Sequence, residues 1–207
     1  MALAEEPLPI AALFDDVLKK RVNFQTLLHI DTKKLGRIVR PGHRVTGDRR
    51  QDSPGAGWEY AHVAIDDHSR VAFSALHPDE TGRSACLALL QALRYYAGLG
   101  IHFCRLLTDN GACYRSKRFQ KLCRRLGLKH LRTKPYTPQT NGKAERFIQT
   151  ALREWAYARS YDSSEQRAEH LQPWLHEYNW HRPHASLGYQ PPINRLQSVN
   201  NLVGLHT

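Results

Sequence analysis

The chain has 207 residues, 30 Lys and Arg against 19 Asp and Glu, and a formal net charge of +11. That length suits one domain able to bury roughly 70% of its unfolded surface. The charge favours a polyanionic partner, nucleic acid or an anionic membrane surface. Its apolar runs are far too short to span a bilayer. Glu5 and Glu6 stand where a signal peptide would need positive charge, so the cytosol is expected.

In chain order, Ile10, Leu13, Phe14, Val17 and Leu18 form the stripe of a short amphipathic helix. Leu27 to Thr32 reads as a buried strand carrying Asp31 near its end. Residues 33–50 hold Lys33, Lys34, Arg37, Arg40, Arg44, Arg49 and Arg50 against the single acid Asp48, and read as a long loop or arm contacting phosphates. Trp58 to Ile65 and Arg70 to His77 form a hairpin, joined by a polar turn in which Asp66 and Asp67 read as structural.

Ala85, Leu89, Ala92, Leu93 and Tyr96 mark a helix over about 80–99, stopped by Gly98 and Gly100. A strand over 101–107 delivers Asp109. Phe119, Leu122, Cys123 and Leu126 line one face of a further helix, and a short strand follows over 128–133. Ala144, Ile148, Ala151, Leu152 and Trp155 mark a helix over about 142–160. Another helix near 163–180 leads into a tail rich in Pro and Gly.

This order predicts an α/β fold with a mixed five-stranded sheet flanked by helices. A right-handed crossover sets the strand of Asp109 parallel to that of Asp31, so both acids leave the same sheet edge. The expected divisions are an N-terminal helix and linker over 1–26, a core over 27–160, and a C-terminal helix and extended tail over 161–207. Cys86, Cys104, Cys113 and Cys123 form no C-x-x-C pair and read as reduced buried thiols. His176, His181 and His184 lack a carboxylate or cysteine at a ligand spacing, so no zinc is expected.

Between Asp109 and Glu145 lie 35 residues with no Asp or Glu and ten Lys or Arg. Each of Asp31, Asp109 and Glu145 alone reads more simply as structural, a turn former or a first-turn acid. Brought together, they would repel by up to about 4 kcal/mol per pair at an effective dielectric near 20, and Mg²⁺ or Mn²⁺ is the natural compensation. Two such ions would serve phosphodiester displacement.

Leu28-His-Ile-Asp31, Leu107-Thr-Asp109-Asn-Gly111 and Pro138-Gln-Thr-Asn-Gly-Lys-Ala-Glu145-Arg146, with the tail Tyr178-Asn-Trp-His-Arg-Pro-His184, carry a resemblance. The chain resembles the integrase catalytic core of bacterial insertion-sequence transposases, a superfamily with retroviral integrases and a ribonuclease H-like fold. The resemblance covers about residues 27–195 and includes the spacing of the last two acids. It implies a metal-dependent DNA strand transferase of the DDE type, with Asp31, Asp109 and Glu145 as catalytic residues and metal ligands. It further implies two ions, element ends and target DNA as partners, a homo-oligomer on DNA, and a bacterial cytoplasmic setting at the nucleoid. Asn110, Gly111, Asn141 and Gly142 would shape the adjoining loops. Lys33, Lys34, Arg37, Lys134, Lys143 and Arg146 are the candidate DNA contacts.

Such transposases usually carry N-terminal helix-turn-helix domains, whereas only 26 residues precede Leu27. The expectation is a truncated core lacking its DNA-reading domain. The alternative is an inactive fragment that binds DNA or full-length transposase as an inhibitor.

Overall fold

The strand that carries Asp31 lies at the centre of the molecule. The computed structural model describes residues 26–40, 56–133 and 141–196. The helix expected over 10–18, most of the basic arm beyond residue 40, and Lys134 with the loop after it lie outside the described residues.

Five strands, β1 (Thr26–Gly36), β2 (Trp58–Asp66), β3 (Ala72–His77), β4 (Phe103–Thr108) and β5 (Lys129–Arg132), pair in the order β3-β2-β1-β4-β5. β1 is antiparallel to β2, with Asp31 opposite Val63, and parallel to β4, with Leu28 opposite Leu106. β5 continues in parallel, with Thr108 opposite Arg132. The mixed sheet and the adjacency of the Asp31 and Asp109 strands agree with the sequence reading. Central position explains why Leu28, His29 and Ile30 are all buried rather than alternating, since both faces of β1 are covered.

One face is covered by α1 (Gly82–Gly98) and α3 (Lys117–Arg125). Thr81 caps α1 by accepting from the Ser84 amide, and Gly100, with φ of 76°, makes the left-handed turn that ends this segment. Leu89, Ala92, Leu93 and Tyr96 of α1 and Phe119 and Cys123 of α3 pack with Leu28, Ile30 and Leu106. The Tyr96 hydroxyl is bonded to the carbonyls of Ala64 and Val71, at 2.9 Å each, tying α1 to the β2–β3 hairpin. A short helix that the sequence reading did not anticipate, α2 (Ala112–Arg115), precedes α3.

The other face is covered by α4 (Gly142–Ala151), which runs into a wider π turn (Leu152–Ala156) instead of remaining regular to residue 160. α5 (Ser164–Glu169) and α6 (Leu171–Trp180) follow. Phe147, Ile148 and Trp155 pack there with Leu171, Leu175 and Tyr178, against Leu35, Val63 and Ile65.

Three polar side chains hold the C-terminal segment to the sheet. Arg167 is fully buried and bonds Glu59 and the Gly36 carbonyl. Arg182 clasps both oxygens of Glu154. Asn179 acts as an extra ladder residue on the edge strand β3. Its Oδ1 accepts from the Ala72 amide at 2.8 Å, and its Nδ2 donates to the Ala72 carbonyl at 2.8 Å. Asn179→Leu leaves both backbone groups buried and unpaired, and is expected to lower unfolding free energy by about 2–4 kcal/mol in urea titrations.

Candidate active site

Asp31 sits midway along β1, Asp109 follows the end of β4, and Glu145 stands in the first turn of α4. Strand pairing and helix packing bring the three near one another. Burial pushes the Asp31 carboxyl up from 3.8 to about 6; the backbone amide of Thr32 opposes that, and the charges of Asp109 and Glu145 raise it further. Asp109 is half-buried and Glu145 exposed.

The loop after Asp109 is built around that carboxylate. Asp109 Oδ1 accepts from the Gly111 amide at 2.8 Å, and a Cβ added at Gly111 would stand 3.0 Å from the same oxygen. Glycine at 111 therefore gives the acid its room. Asn110 Nδ2 donates to the Thr133 carbonyl at 2.8 Å, tying the exits of β4 and β5 together. Asn141 is buried, with Nδ2 donating to the Ile30 carbonyl and Oδ1 facing His29 Nδ1, both at 3.2 Å. Gly142 differs: a Cβ there meets nothing within 4 Å, so packing does not demand glycine.

Sequence reasoning missed a polar network beneath α4. His29 Nε2 meets Asp67 Oδ1 at 2.6 Å, and Lys143 also binds Asp67 Oδ1. Burial alone would raise the Asp67 pKa, but its bonds to Lys143 and His29 outweigh burial and lower it. The structural reading suits Asp66, whose Oδ2 accepts from the Ser69 hydroxyl and amide within the turn. It does not suffice for Asp67, which links the hairpin turn, the centre of β1 and the start of α4. A signal was available in the two consecutive acids at that turn, but the partners of Asp67 lie 38 and 76 residues away.

The expected DNA contacts divide. Lys33 and Lys34 belong to β1 rather than to a loop, because that strand pairs with β2 as far as Gly36. Both are exposed, and Lys34 Nζ lies 4.2 Å from the Trp58 ring centre. Arg37 and Arg146 are exposed, whereas Lys143 is engaged with Asp67.

Three carboxylates supply the hard oxygen donors that Mg²⁺ or Mn²⁺ takes. Asp109 and Glu145 both act on Asp31, while among the described residues no three His, Cys, Asp or Glu side chains are gathered as a metal cluster. By chemistry the donor set suits such an ion, with Asp31 and Asp109 half-buried and Glu145 exposed.

Between about pH 4 and 6 the folded protein keeps an Asp31 proton that the unfolded chain has released, so stability falls as pH rises through that window. Asp31→Asn removes a penalty of about 2–3 kcal/mol, so the variant should melt above the wild type near about pH 7.5, with the difference closing near about pH 4. Asp67→Ala leaves a buried His29 ring nitrogen unpaired and should cost about 1–3 kcal/mol in chemical denaturation.

Two family models described as integrase core domain match the chain, over residues 39–138 and 126–192. The chain is 38% identical over 92 residues to the putative transposase InsD for insertion element IS2E of Escherichia coli strain K12, covering 44% of this chain and 42% of that relative. The transposase InsD for IS2A/D/F/H/I/K of Escherichia coli has the same identity over 92 residues, with 30% of its length covered. The match thus spans less than half the length of these curated relatives.

Among solved structures, a chain of the simian T-cell lymphotropic virus intasome in complex with PP2A regulatory subunit B56 gamma superposes with a TM-score of 0.62 at 20% identity, covering 82% of this chain and 53% of that one. The catalytic core domain of BIV integrase gives 0.56 at 20% identity, covering 85% and 96%. The HTLV-2 integrase catalytic core domain in complex with magnesium, in its trimeric form, gives 0.50 at 19%, covering 83% and 93%. At these identities the likeness is one of fold, the ribonuclease H-like fold of integrase cores. The two integrase-core matches together run from residue 39 to residue 192 and contain Asp109 and Glu145, so over that stretch the chain is similar to the integrase core domain, and over 92 residues to insertion-sequence transposases.

Proposed function

We propose that this chain performs divalent-metal-dependent cleavage and strand transfer of DNA, with Asp31, Asp109 and Glu145 as its catalytic carboxylates. The observation that supports this reading is that Asp109, just after β4, and Glu145 of α4 lie close enough to the half-buried Asp31 of β1 for both charges to raise its pKa, although the three are distant in sequence. Mg²⁺ or Mn²⁺ bound there, as one or two ions, would offset their repulsion and activate the attacking oxygen for displacement at phosphorus.

The protein's own contribution is placement. β1 holds Asp31 rigidly, the Gly111 amide fixes Asp109, and the His29–Asp67–Lys143 network anchors the turn from which Glu145 projects. Lys143 acts through Asp67 as a positioning residue, while Arg146, exposed beside Glu145, is free to meet a phosphate. Lys33, Lys34 and Arg37 offer further exposed charge along β1 and just beyond it, and Lys134 belongs to the same proposed set.

DNA ends and target DNA are the proposed substrates, in line with the transposase relatives, and several copies are expected to assemble on DNA, in line with the intasome and trimeric neighbours. Among the described residues no helix is long and apolar enough to cross a membrane, and the proposed setting is the bacterial cytoplasm at the nucleoid.

The test is nicking of supercoiled plasmid by the purified chain with Mg²⁺ or Mn²⁺. Asp109→Asn and Glu145→Gln should each reduce the rate about a hundredfold or more while leaving DNA binding intact. Added Mg²⁺ should raise the melting temperature of the wild type but not of Asp109→Asn. DNA binding with equal background nicking in all three proteins would instead support the inhibitory, catalytically silent fragment.

A further inference from the structure

On the outer edge of the sheet, an open cavity of about 300 Å³ lies between α3 and β5, lined by Gln120, Cys123, Arg124, Leu128, His130 and Arg132. Gln120 and Arg124 are one helical turn apart, and His130 and Arg132 share one face of β5. Cys123 and Leu128 are buried and form an apolar floor, while Arg124 and Arg132 are exposed at the rim. The surrounding segment from residue 110 to 144 has no acid. Among the described residues, no carboxylate pairs with either guanidinium.

Two guanidinium groups held around one concavity repel until an oxyanion lies between them, and their forked N–H groups match a phosphate. The pocket is also joined to the carboxylate site. Arg132 is opposite Thr108 in the β4–β5 ladder, one residue before Asp109. Within the pocket wall, His130 Nε2 meets Thr108 Oγ1 at 2.9 Å, and that hydroxyl donates to the Asp109 carbonyl at 2.8 Å. Burial, and then the charge of Arg132, lower the His130 pKa, so the guanidiniums supply the positive charge here.

We propose that the α3–β5 pocket seats a backbone phosphate of the DNA strand engaged by the carboxylates, with Arg124 and Arg132 as its ligands. The assignment rests on the strand-transferase reading above. Neighbouring strands are about 4.8 Å apart, and nucleotides along one DNA strand rise by about 3.4 Å, so the seated phosphate lies within a few nucleotides of the reacting one. α3 and α4 cover opposite faces of the sheet, so a strand meeting both the pocket and Glu145 must cross from one face to the other on the β5 side. The contact carries no sequence information, and fixes where the strand lies relative to Asp109.

The experiment is fluorescence anisotropy of a labelled duplex of about 30 base pairs, titrated with full-length protein across a salt series. The proteins compared are the wild type, Arg124→Gln/Arg132→Gln, Arg124→Lys/Arg132→Lys, and single Arg132→Gln. The Gln pair should bind about tenfold or more weakly at low salt, with a salt dependence shallower by about 1–2 charges. The Lys pair should keep the wild-type slope, and Arg132→Gln should fall between. All four should melt together, since both arginines are exposed.

Unchanged affinity and slope in the Gln pair, with the wild type binding, overturns the pocket assignment alone. A wild type that binds but does not nick with Mg²⁺ overturns the catalytic reading, while the salt slopes still decide the pocket. A wild type that does not bind the duplex overturns both.

Discussion

A carboxylate half-buried on the central strand of a sheet, with two more acids beside it, is the constraint around which this molecule is arranged. Asp31 loses water on folding, and Asp109 and Glu145 add repulsion to that loss. Such an arrangement lowers stability at neutral pH and persists only where surrounding structure fixes the geometry. Here that fixing is done by β1, paired on both sides, and by the anchored start of α4.

The scaffold meets this cost with two apolar clusters, one on each face, and with buried side-chain polar groups that, among the described residues, are bonded apart from one guanidinium nitrogen each of Arg70 and Arg167. Tyr96 and Asn179 tie α1 and α6 to backbone groups of β2 and β3, and Arg167 ties α5 to the far end of β1 and β2. The words Tyr178-Asn-Trp-His-Arg, which carried the resemblance at the C-terminal end, therefore have a mechanical meaning. Tyr178 packs on Phe147 of α4, Asn179 completes the edge strand, and Arg182 holds Glu154 just after α4. They support the helix that carries Glu145 from behind.

Charge is distributed unevenly around that scaffold. Basic residues along α3 and β5 have no acid among their sequence neighbours, whereas Lys143, a basic residue close to the carboxylates, is neutralised by Asp67. Lys143 thus serves to position α4, and the charge left for a polyanion lies on the exposed Lys33, Lys34, Arg124, Arg132 and Arg146. Such charge can steer DNA, because long-range attraction does not require contact with the reacting atoms.

Local patterns determined much of this protein. Helical periodicity located α1, α3 and α4, the alternation of strands and helices predicted a mixed sheet with the strands that lead to Asp31 and Asp109 parallel neighbours, and the motif words around Asp31, Asp109 and Glu145 carried the resemblance that singles out these three acids. Those features depend on residues within a few turns of each other, or on a chain order that allows few topologies. Tertiary structure alone decided that β1 continues through Lys33 and Lys34, since its extension comes from pairing with Ala61 and Tyr60 on β2. It alone joined His29, Asp67, Asn141 and Lys143, turned Asn179 into a strand partner, and opened the pocket between α3 and β5. The network and the Asn179 bonds arise from side chains tens of residues apart meeting in space, and the pocket from a helix packing beside a strand, relations that no local periodicity encodes.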